Sequence, residues 1–207
     1  MAGGFFNYGS FAGPVELEPI YALVDLETSG FNPPQAKILE IAILKIDAQG
    51  KVLDQFSTLI DPGDNNVGRT EIHGITLEMI KKAPSFAEVR GQVLEILGGA
   101  ILVAHNAMFE ERFLEIELAD ATPGMPMVPA IDTLWLARQT LSLPDYKLDT
   151  VVRSFDQTID NAHTAMGDVL AMAKFLPQML AKTRTIKFES NHRPLPSFNS
   201  VGKARPR

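Results

Sequence analysis

The chain has 207 residues, 45% of them apolar, no cysteine and a formal net charge of −6, which suits one domain with a sizeable core. Disulfides and thiolate metal sites are excluded. No run approaches the roughly 18 apolar residues that span a bilayer, and the Gly- and Phe-containing start has no signal-peptide pattern, so a cytoplasmic protein with no membrane contact is expected.

Residues 1–18 are rich in glycine and aromatics (Phe5, Phe6, Tyr8, Phe11) without a clear period and are expected to form a mobile arm. Apolar runs at 20–26, 38–46 and 52–60 read as strands, the last two joined by Asp47-Ala-Gln-Gly50 as an antiparallel hairpin. Thr76 reads as a helix start, and Phe86, Val89, Val93, Leu94 and Leu97 fall at helical spacing over Ser85–Leu97. Gly98-Gly99 ends that helix. Ala100–Ala104 is a further buried strand, and Asn106 caps a helix with Phe109, Phe113, Ile116 and Leu118 in its stripe. A short strand near Val128–Ile131 leads to helices near 134–141, 147–155 and 162–180. A three-strand meander followed by alternating strands and helices defines an α/β fold with a mixed sheet.

After Ala181 come Lys182, Arg184, Lys187, Arg193, Lys203, Arg205 and Arg207 against the single acid Glu189. The 182–207 tail is therefore basic on an acidic body, a pattern that fits nucleic acid or an acidic partner. With Pro194, Pro196 and Pro206 it is expected to be extended or disordered alone. The domain proper is 19–181.

Asp25 and Glu27 end the first strand, just before Thr28-Ser29-Gly30. Residues i and i+2 of a strand share a face, and two like charges held together at a core edge are costly unless a cation neutralises them. A hard divalent ion, Mg²⁺ or Mn²⁺, is the expected partner. Two further places combine acids with His or Asn beside apolar elements. His105-Asn106 through Glu110 joins a strand end to a helix start, where N–H groups and a carboxylate approach a ligand. His163 through Asp168 opens the last helix, and five helical residues turn by about 140°, so the two flank one cavity if His163 lies on the incoming loop or first turn. His105 reads as structural, and Asp132 and Asp149 as helix-start residues.

These motifs resemble the DnaQ-like 3′–5′ exonucleases with the DEDDh signature, the family of polymerase III epsilon-type proofreading subunits and ribonuclease T. Val24-Asp-Leu-Glu-Thr-Ser-Gly30, Ala104-His-Asn-Ala-Met-Phe-Glu110 and His163-Thr-Ala-Met-Gly-Asp168 are similar to the family's three motifs, with Ile72-His-Gly-Ile-Thr76 and Ile131-Asp-Thr-Leu134 in order between them. The resemblance covers roughly residues 20–180 and implies a ribonuclease-H-like mixed central sheet flanked by helices. It also implies two Mg²⁺ or Mn²⁺ ions. Asp25 would bridge both, Glu27 and Asp168 would complete the first, Glu110 would hold the second, and His163 would be the general base, a task that suits an imidazole near neutrality. Thr28, Ser29 and Phe31, and also His73 and Asn106, would meet the terminal nucleotide. The implied reaction releases 5′-nucleoside monophosphates from single-stranded or frayed DNA 3′ ends, in proofreading or repair and with a DNA polymerase as a partner.

One position departs. The family has aspartate where this chain has Glu110, which keeps the charge and adds a methylene. Glu111, about 100° round the helix, is a poorer substitute. The alternatives are an exoribonuclease trimming RNA 3′ ends and a catalytically weakened module that binds nucleic-acid ends or a polymerase.

Overall fold

The computed structural model describes residues 6–8, 19–119, 128–160 and 163–183. The rest of the amino-terminal arm and residues 184–207 of the basic tail lie outside the described residues.

Apolar β-rich runs form the centre of the molecule. Strands β2 (Tyr21–Thr28), β3 (Ile38–Ile46) and β4 (Val52–Leu59) make the antiparallel meander. Asp47 Oδ1 accepts from the N–H groups of Gln49 and Lys51 and sets the β3–β4 turn. Strands β5 (Ile101–Ala104) and β6 (Val128–Asp132) then add in parallel beside β2. Phe6–Tyr8, inside the expected mobile arm, forms the edge strand β1, parallel to β6. The sheet order is β1-β6-β5-β2-β3-β4. β2 and β3 are buried at most positions, whereas β4 is mostly exposed because it closes an edge.

Alternation along β2 and β3 assigns each residue to one of two layers. Ala22, Val24, Leu26, Ile41 and Ile43 pack with helices α3 (Phe86–Leu97) and α4 (Met108–Leu118). Leu23, Ala42, Leu44 and Ile46 pack with α5 (Thr133–Thr140), α6 (Leu148–Arg153) and α7 (Ala165–Lys182). The short helices α1 (Thr70–His73) and α2 (Leu77–Ile80) lie on the loop between β4 and α3.

Local chemistry explains the helix starts. At Ser85, both the N–H and the hydroxyl donate to Glu88 Oε2 ahead of α3. Asp132 caps α5 by accepting from the N–H groups of Leu134 and Trp135, and Thr164 Oγ1 accepts from Gly167 N–H at α7. Asn106 does not cap α4. That place belongs to Ala107, and Asn106 sits one residue earlier with φ +74, a left-handed conformation that asparagine tolerates well. Among the described residues no helix is long and apolar enough to cross a membrane.

Candidate active site

The central strand delivers the first two carboxylates. Asp25 and Glu27 share the phase of Tyr21 and Leu23, so they leave β2 on the α7 face. The β2–β3 register slips between Glu27 and Thr28, and there the chain leaves the sheet. Asp168, in the first turn of α7, completes the group: oxygens of Asp25, Glu27 and Asp168 all lie within 4.8 Å of one another.

Without a cation this cluster is electrostatically strained. Burial first, then the charges of Glu110, Asp168, Glu27 and Glu40, hold Asp25 well above the usual carboxylate range. Glu27 is pushed up to about 7, by burial and then by Asp168 and Glu40. Asp168 is raised by burial, while the charge of His163 and its backbone N–H pull the other way. Each shift records a preference for a proton where a bound cation would serve instead.

Glu110 stands outside the 4.8 Å group because it arrives from α4, in the other layer. It is nevertheless the largest single charge acting on Asp25. Its side chain is 3% exposed and Oε2 has no hydrogen-bond partner. Burial pushes its carboxyl up to about 8, with Asp132 adding and Arg112 opposing. A half-buried carboxylate trio, with a buried Glu110 carboxylate oxygen unpartnered and its charge felt at Asp25, fits hard divalent cations. Glu111 turns elsewhere: Oε1 accepts from Phe6 N–H at 2.5 Å and Oε2 from the Tyr8 hydroxyl at 2.7 Å.

His163 lies on the loop before α7 with φ +66, exposed to solvent, the first of the two placements that let it flank a cavity with Asp168. The segment after β2 lines a cavity of about 200 Å³ with Glu27, Thr28, Ser29, Phe31, Arg69, Ile72, His73 and Phe109. Phe31 is 64% exposed, and the Arg69 guanidinium lies 5.4 Å from its ring centroid. Gly68 holds Arg69 there. With φ +62 its backbone runs so close to Ser29 that a Cβ would overlap the Ser29 carbonyl.

The polar residues expected at the substrate differ in what they have free. The Thr28 hydroxyl donates to the Gly30 carbonyl, while Ser29 Oγ accepts from Lys37 N–H and keeps its own proton to donate. At His73, Nδ1 accepts from Ile75 N–H and Nε2 faces the Val67 carbonyl at 3.1 Å, so both nitrogens lock the loop. Asn106 presents an exposed side chain while its N–H donates to Asp132 Oδ1. His105 is structural, held by Thr133 Oγ1 at 3.0 Å and the Tyr146 carbonyl at 2.8 Å.

Sequence reasoning missed Glu40. It lies in β3 directly opposite Glu27, and its charge acts on Asp25, Glu27 and Asp168. A lone acid within the run Ile38-Leu39-Glu40-Ile41-Ala42 was the available signal.

A mixed sheet of this order, with acidic residues converging at the end of its central strand, defines the class as a ribonuclease-H-like nuclease domain. A model of the RNase T family, described as an exonuclease, matches residues 23–176, and the chain belongs to that family of 3′–5′ exonucleases. It is 35% identical over 158 residues to a PolC-type DNA polymerase III from Clostridium perfringens (strain 13 / Type A), covering 75% of this chain and 11% of the polymerase. The chain thus spans about a tenth of the length of such curated relatives. Exonuclease X in complex with 5′ overhanging duplex DNA superposes with a TM-score of 0.63 at 26% identity, over 78% of this chain and 91% of that one. The nuclease domain of 3′hExo, a DEDDh family member bound to rAMP, gives 0.69 at 18%, over 84% and 98%.

Proposed function

We propose that the chain is a divalent-metal-dependent 3′–5′ exonuclease that removes 5′-nucleoside monophosphates from single-stranded or frayed DNA 3′ ends. The observation that carries this is the convergence of Asp25, Glu27 and Asp168 within 4.8 Å, with an unpartnered, buried Glu110 carboxylate oxygen on α4 whose charge acts on Asp25. Asp25, Glu27 and Asp168 would hold one ion, and Asp25 with Glu110 a second. When bound, the pair would supply an activated water and neutralise charge on the leaving 3′ oxygen. His163, on its exposed loop, accepts the proton of the attacking water. Phe31 and Phe109 offer faces on which the terminal bases stack, and Ser29 and Asn106 offer donors beside them.

A DNA substrate and a polymerase partner are supported by the likeness to PolC-type DNA polymerase III and to exonuclease X bound to DNA. The test is gel-resolved digestion of 5′-labelled single-stranded DNA and matched RNA with Mg²⁺, Mn²⁺ or EDTA, beside Asp25→Ala. A metal-dependent ladder shortening from the 3′ end, faster on DNA and absent in the variant, is expected. Faster shortening of RNA would make the chain an exoribonuclease. No ladder from folded protein would leave the end-binding module.

A further inference from the structure

Glu40 is a half-buried carboxylate with no part in the ligand set described above. It faces Glu27 across the β2–β3 ladder, an arrangement of like charges that destabilises a sheet unless something else uses it. Glu40 Oε2 accepts a hydrogen bond from the backbone N–H of Ala165 at 3.1 Å. Ala165 is the first residue of α7, and the first four N–H groups of a helix have no acceptor within it. Ala165 is also 0% exposed, so water is a poor substitute there.

The bond reaches the catalytic region through helix geometry. Ala165 and Asp168 are three residues apart and therefore neighbours on one face of α7. His163 lies two residues before the tie, and its N–H is hydrogen-bonded to Asp168. Repulsion among Asp25, Glu27 and Asp168 drives the start of α7 away from β2. Glu40 opposes that movement by reaching an acceptor oxygen to the first turn of the helix.

We propose that Glu40 is a positioning residue: by binding the Ala165 N–H it fixes the first turn of α7, and so holds Asp168 and His163 in register with Asp25 and Glu27 for cation binding. The proposal rests on the reading of Asp25, Glu27 and Asp168 as cation ligands. Two near-isosteric changes separate reach from charge. Glu40→Gln keeps an acceptor oxygen at the same length without the charge, whereas Glu40→Asp keeps the charge and withdraws it by one methylene.

The 207-residue wild type, both variants and Asp25→Asn are compared by Mn²⁺ binding, read from the electron-paramagnetic-resonance signal of free Mn²⁺. kcat and KM on single-stranded DNA are measured alongside. Glu40→Asp weakens Mn²⁺ binding by roughly 10- to 100-fold, the range for residues that orient metal ligands, and lowers kcat with KM unchanged. Glu40→Gln stays close to wild type in both. Any other ranking overturns the proposal: a larger loss in Glu40→Gln would make the charge itself the active feature, and two unimpaired variants would make the tie dispensable. Intact Mn²⁺ binding in Asp25→Asn would instead remove the cation reading, and the proposal with it.

Discussion

Glu110 shares the electrostatic cost of the site with Asp25, Glu27 and Asp168. In metal-free protein its carboxyl keeps a proton up to about pH 8, whereas in an unfolded chain an ordinary glutamate releases it near about 4.3. Between those values the folded state binds more protons, so the unfolding free energy falls as pH rises. Glu27, raised to about 7, slopes the same way over a narrower window. In EDTA the melting temperature should therefore drop from pH 5 to pH 8. Glu110→Gln should flatten the slope, and saturating Mn²⁺ should restore the loss at high pH. A melting temperature that climbs over this range in EDTA would contradict the assignment. The same variant should lose at least about a hundredfold in kcat, since metal-borne charge stabilisation is worth several kcal/mol. Glu110→Asp should change kcat by less than about tenfold; a rise from near zero would show a site disabled by the extra methylene. The motif residues were legible because each lies beside its landmark in the chain. Glu40 was not, because its importance comes from facing Glu27 across a ladder and meeting Ala165 from 125 residues away.

Strands β2 to β6 were readable from their apolar runs, and α3 from its spacing and its Ser85–Glu88 cap. β1 was not, since three residues supply no period and its stability comes from partners distant in sequence. Phe6 is 3% exposed in the α3–α4 layer, and Glu111 accepts from both Phe6 N–H and Tyr8 hydroxyl. Glu111 thus fastens β1 to the helix that carries Glu110, with both of its own carboxylate oxygens engaged there. Glu111→Ala removes the hydrogen bond from the Phe6 N–H to Glu111 Oε1, a change worth about 0.5–1.5 kcal/mol. Urea unfolding should show a loss of that size, and amide exchange along β6 should quicken as β1 detaches. Mn²⁺ affinity should stay within about threefold, because loss of a true ligand or its orienting partner costs tenfold or more. A collapse of Mn²⁺ binding would mean that Glu111 serves the site directly.

Charge divides the molecule. Beyond Thr183 the tail keeps six basic residues and one acid, a balance of plus five, so residues 1–183 carry minus eleven within the whole chain's minus six. An acidic body that must approach a polyanion gains from a cationic segment placed next to it. The helix that opens with Asp168 in its first turn ends at Lys182, so the tail starts about 21 Å along the helix axis from Asp168, within reach of an extended segment of a few residues. Removing 184–207 spares Lys182, whose ammonium sits 4.6 Å from the Phe155 ring centroid, and leaves the site residues untouched. The truncated protein should keep its kcat and show a raised KM on single-stranded DNA. Each lost phosphate contact should also flatten the dependence of log KM on log salt by about 0.7, the counterion release of a single strand. An unchanged slope would detach the tail from the substrate and direct attention to an acidic partner. A fall in kcat with KM unchanged would instead connect the tail to the first turn of α7 through the helix itself.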